Sequence, residues 1–143
     1  MSSYYKEVEF RTKLLAHWAA FFELAGWTWH VNPAPVGDWL PDFFVRFPCG
    51  HSECSAEHSL LVAVLPVEDI TGMAAHPALE HRYSVDAGTG KPRADAGALF
   101  GATPAASEWE MSHGAGAGTY DIPFWINNWP DLWRRAGELV RTQ

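Results

Sequence analysis

The sequence predicts an α+β domain, a mixed β-sheet flanked by an N-terminal and a C-terminal helix. Three observations carry that expectation. Apolar residues recur at helical spacing near both ends of the chain. The runs between them are short, rich in β-branched and aromatic residues, and bounded by Gly and Pro. The resulting order (helix, three strands, an irregular middle, two strands, helix) suits helices packed on a mixed sheet.

Each element has its own warrant. Residues 12–25 form the first helix, with Leu14, Leu15, Trp18, Phe21 and Phe22 on one face, Thr12 as N-cap and Gly26 at the stop. Trp27 to Asn32 alternates as a strand, and Pro33 and Pro35 make a turn. A second strand lies within Asp38–Phe47, centred on Phe43 to Phe47. After a loop over 48–59, Leu60 to Leu65 is apolar on both faces and is expected in the middle of the sheet. Residues 67–106 carry weaker signals. A helix start is expected near His76–Glu80, a mobile excursion over 86–98 and a short strand at Leu99–Gly101. Ser107 to Met111 alternates as a strand with Trp109 and Met111 on one face, and Gly114 to Gly118 reads as a flexible turn. Tyr120 to Ile126 reads as an edge strand interrupted by Pro123. A last helix runs from about Pro130 to Thr142, with Leu132, Trp133, Ala136, Leu139 and Val140 as its apolar face.

Composition bounds the function. A chain of 143 residues is expected to be one domain, 1–143, long enough to bury a conventional core. No apolar run reaches the length of a membrane span, and the first residues lack the pattern of a signal peptide, so a cytoplasmic protein is expected. The formal charge is −7 and the Lys and Arg residues are scattered, which disfavours tight nucleic-acid binding and suits a protein partner, a basic one above all.

Specific motifs narrow the reading. Phe10-Arg11-Thr12-Lys13-Leu14 is followed by Trp18-Ala19-Ala20-Phe21-Phe22, then by Leu40-Pro41-Asp42-Phe43 and the apolar run Leu60 to Pro66. This layout resembles the PD-(D/E)XK nuclease superfamily, in particular its small actinobacterial and phage members. The resemblance covers about residues 4–66, and it implies a restriction-endonuclease-like fold and a phage or mobile-element origin. In that chemistry an Asp and a Glu converge on Mg²⁺ while a Lys positions the attacking water. The Glu and Lys share one face of a strand, two residues apart. Carried onto this chain, the Asp is Asp42, whereas the Glu and Lys positions are Ala63 and Leu65 and a helix carboxylate position is Leu15. The expectation is therefore a catalytically inactive nuclease-like protein with a vestigial Asp42, acting as a binding or regulatory protein. An active Mg²⁺-dependent endonuclease with migrated ligands is the alternative, with Glu23, Glu68 and Asp69 as the candidates.

The loop Cys49-Gly50-His51-Ser52-Glu53-Cys54-Ser55-Ala56-Glu57-His58 supplies a second candidate. Cys49, His51, Cys54 and His58 are the ligand types of a structural Zn²⁺ site, which would make the chain a zinc-stabilised interaction module. The plainer reading is a polar hairpin loop with two reduced thiols. Ser112-His113 is read as loop rather than as part of a nucleophilic triad, and the Trp residues as core rather than as a base-stacking platform.

Overall fold

The computed structural model describes residues 3–48, 57–80, 94–113 and 116–142. Among the described residues, two sheets and four helices make an α+β fold. The larger sheet has six strands in the order β3 (Thr28–Val31), β4 (Phe43–Pro48), β5 (Glu57–Val64), β6 (Ala96–Phe100), β7 (Ser107–His113) and β8 (Gly116–Tyr120). Only β5 and β6 run parallel; the other neighbours are antiparallel, so the sheet is mixed. A smaller sheet has the order β2 (Val8–Phe10), β1 (Ser3–Tyr5), β9 (Arg141–Thr142), and so ties the two ends of the described chain together. No helix among the described residues is long and apolar enough to cross a membrane.

Both faces of the larger sheet are covered, which explains why β5 is apolar on both faces from Leu60 onward. One face carries α1 (Lys13–Leu24) and α4 (Trp129–Leu139) over Phe43, Val45, Leu60, Val62, Phe100 and Trp109. Trp18 lies at its centre, stacked on Phe100 at 4.7 Å, with its indole N–H donating to the Gly101 carbonyl at 2.9 Å. Burying a side chain of this kind stabilises by about 1.5–3 kcal/mol, and the hydrogen bond removes the cost of the buried N–H. On the other face Leu61, Ala63 and Leu99 meet Val36, Trp39 and α2 (Pro77–Glu80). Trp18, Trp27, Trp39 and Trp109 are buried, as core packing requires.

The first helix follows its sequence signals. The Thr12 hydroxyl accepts from the Leu15 N–H at 3.2 Å, and Gly26 takes the left-handed conformation just after the helix, with φ of 81°.

Other expectations need correction. The strand after the Cys/His loop begins at Glu57 rather than Leu60, so His58 is a strand residue. Ala96, Gly97 and Ala98, expected within an excursion over 86–98, belong instead to buried β6, which extends the strand expected at Leu99. Small residues carry little β signal of their own; a parallel ladder to β5 fixes this strand. Residues 81–93 lie outside the described residues. Gly116–Gly118 is the start of β8 rather than a turn, and His113 ends β7 rather than lying in a loop. Of the edge strand expected over 120–126, only Tyr120 is in a strand, the last residue of edge strand β8, and Ile122–Trp125 is instead the short helix α3. There Asp121 accepts from the Phe124 N–H at 2.8 Å, and Pro123 sits in the first turn, where its missing N–H costs nothing. The last helix stops at Leu139, whose side chain is exposed, and the chain turns into β9. The N-terminal hairpin of β1 and β2 had no counterpart in the expected elements.

Candidate functional site

Asp42 directly precedes β4, and its N–H donates to the Val62 carbonyl at 2.7 Å, one residue out of the β4–β5 register. Phe43 pairs with Val62, and Ala63 is the next residue of β5. One carboxylate oxygen of Asp42 accepts the Val64 N–H at 2.8 Å, and the other accepts from the Arg11 guanidinium at 2.7 Å. The carboxylate is largely enclosed (12 % exposed), while Arg11 is at the rim (67 % exposed). A backbone donor and a guanidinium thus satisfy a group that would otherwise be costly to enclose.

The surroundings form a cleft of about 310 Å³. Its apolar wall is Phe10, Leu15, Val31 and Phe43; its polar groups are Glu9, Arg11, Asn32 and Asp42. Leu15, 5 % exposed, presents hydrocarbon to this cleft from the first turn of α1. Ala63 and Leu65 pack with the cluster on the α2 side of the sheet. The cleft around Asp42 therefore holds one cation, one further acid in Glu9 and several hydrocarbon groups, and no lysine lines it among the described residues.

The carboxylates expected as migrated ligands are engaged elsewhere. Glu23 sits eight residues beyond Leu15 on α1, a rise of roughly 12 Å along the helix. It pairs with Lys6 at 3.1 Å and accepts from the Trp29 indole at 3.0 Å. Burial pushes its pKa up, but the hydrogen bonds from Trp29 and Lys6 outweigh that and hold it below its ordinary value. Asp69 is exposed, and hydrogen bonds from the Thr71 hydroxyl first and then the Thr71 N–H, at 2.8 Å, hold its pKa below the ordinary value; Glu68 is exposed. Among the described residues no three His, Cys, Asp or Glu side chains gather as a metal site requires.

Of the zinc candidates, Cys49, His51 and Cys54 lie outside the described residues. His58 does not. It is buried on β5, between Phe47 and Trp125, with Nδ1 at 3.0 Å from the Asp95 carboxylate. The same carboxylate oxygen accepts the Ser59 N–H at 2.9 Å. This pairing binds the start of β5 to the residue before β6, at the end of the sheet where 49–56 leaves β4.

Sequence reasoning did not single out Arg11, Glu9 or Asp95 as site residues. Arg11 lies 31 residues from Asp42 and Asp95 lies 37 from His58, separations at which no local spacing rule operates. Models of known families, curated proteins and solved structures were all compared with this chain, and none matches it.

Proposed function

We propose that the chain is a nuclease-like domain of the PD-(D/E)XK layout that has no catalytic metal centre and works as a binding or regulatory protein. One observation carries the reading. Asp42, the one acid the motif keeps, is paired with Arg11, while Ala63 and Leu65, where the chemistry needs a carboxylate and an amine, pack into the apolar cluster on the α2 side of the sheet. Mg²⁺ is held by oxygen ligands, and Asp42, paired to a guanidinium and joined only by Glu9 among the described acids lining the cleft, does not supply a full set. The helix, the strand opening at Asp42 and the central apolar strand keep the order that the resemblance implies. A migrated site draws no support from Glu23 or Asp69, whose carboxylates already accept other donors.

The test is cleavage of supercoiled and single-stranded DNA with Mg²⁺ or Mn²⁺. No cleavage above a no-protein control is expected. Metal-dependent cleavage that disappears in Asp42→Ala would overturn the reading.

A structural zinc clip at Cys49, His51, Cys54 and His58 is a compatible second reading. What favours it is the His58–Asp95 pair, because metal-bound imidazoles characteristically donate their other ring N–H to a carboxylate. Protein purified without chelator is then expected to hold about one zinc per chain. Metal-free protein of unchanged stability sinks this part alone.

A further inference from the structure

We propose that the cleft beside Asp42 is a receptor for a lysine or arginine side chain presented by a protein partner, and that Arg11 occupies it until the partner displaces it. This rests on the binding-protein reading above and names the partner's chemistry.

The charge balance comes first. Two acidic residues, Glu9 and Asp42, line the cleft together with one basic residue, Arg11. The cleft is thus left with room for a second positive group, on a chain whose formal charge is already −7. Such a field favours encounter with basic partners. The asymmetry of the Arg11–Asp42 pair comes second. Asp42 is enclosed and anchored by the Val64 N–H, so it keeps its position without Arg11. The guanidinium is mostly in solvent, where such pairs contribute little and exchange readily. The apolar wall comes third. Phe10, Leu15 and Phe43 flank the acids, and the methylene stem of a lysine or arginine covers such a surface while its head reaches the carboxylates. Negatively charged nucleic acid is the wrong sign for this balance.

The experiment titrates ¹⁵N-labelled protein with N-acetyl-arginine amide and with its uncharged isostere N-acetyl-citrulline amide. Backbone amide signals are followed at Arg11, Asn32 and Val64. The arginine probe is expected to give saturable shifts at these positions, and the citrulline probe none. Arg11→Ala vacates the carboxylate and should tighten binding by roughly two- to threefold, the scale of the exposed pair it removes. Glu9→Gln, an exposed change that leaves the core untouched, should weaken it, and Asp42→Asn more so. Absence of saturable shifts even in Arg11→Ala overturns the inference, as do equal shifts from citrulline or an undiminished response in Glu9→Gln. A parallel Mg²⁺ titration separates the two levels. If arginine fails and Mg²⁺ also leaves the signals unmoved, only the partner chemistry falls. If Mg²⁺ binds at Asp42, the metal-free reading falls with it.

Discussion

Asp42 is held by a backbone N–H on one oxygen and a guanidinium on the other, and the two donors differ in what they contribute. The Arg11 contact is at the surface and is worth well under 1 kcal/mol. The Val64 N–H is partly buried, and leaving it without an acceptor costs about 1–3 kcal/mol. Asp42→Ala is therefore expected to lower the unfolding free energy by about that amount in urea denaturation, whereas Asp42→Asn, which keeps one acceptor oxygen, should lose roughly half. Arg11→Ala should be close to neutral. Equal losses for Asp42→Ala and Arg11→Ala would show that the ion pair, not the backbone contact, fixes this residue. Asp42 itself was legible from its Leu-Pro-Asp-Phe setting. Its partner was not, because nothing in a sequence announces which distant cation will reach a carboxylate.

At the scale of elements, the N-terminal hairpin is the least predictable and the most strained. Tyr5 pairs with Val8, which leaves Lys6 and Glu7 as a two-residue turn with φ of 51° and 66°. That turn type favours Asn and Gly, and each other residue held there costs about 1 kcal/mol or more. The pattern reading had no Asn-Gly signal to find. Packing supplies the compensation: Tyr5 and Phe10 each meet Trp29 at 6.1 Å, and Lys6 reaches Glu23. Glu7→Gly relieves the strain without touching the Lys6–Glu23 pair. It is expected to raise stability by about 1 kcal/mol, the reverse of the usual effect of introducing glycine. A drop in thermal midpoint would show that the turn is not under strain.

Across the whole molecule, the two helices on the sheet's main face are clasped by His17. Its ring stacks on Trp133 at 3.5 Å, and its Nε2–H donates to the Trp133 carbonyl at 2.7 Å. A Cβ at Gly137 would stand 3.2 Å from the ring, so glycine makes room for the stack. Burial lowers the His17 pKa; the Trp133 carbonyl offsets part of this, and Lys13 adds to the lowering. With the folded value below the unfolded 6.5, the unfolded chain binds more protons between the two. The contribution of neutral His17 is therefore complete above 6.5 and is lost as pH falls through the folded value. His17→Gln keeps an N–H donor but does not titrate, so its stability should fall less steeply than wild type below pH 6.5. Parallel curves for the two proteins would remove His17 from the acid response.

Local signals suffice for the first helix with its Thr12 cap and Gly26 stop, the central position of the apolar strand, and the hydrocarbon character of positions 15, 63 and 65. These are local or compositional properties, carried by periodicity, capping chemistry and side-chain type. Long-range packing is what makes Ala96–Phe100 a buried strand, brings Arg11 over Asp42 and His58 to Asp95, and joins the ends of the described chain in one sheet. Each of those depends on groups 31 or more residues apart, whose meeting is set by the closure of the whole core rather than by any neighbour in the chain.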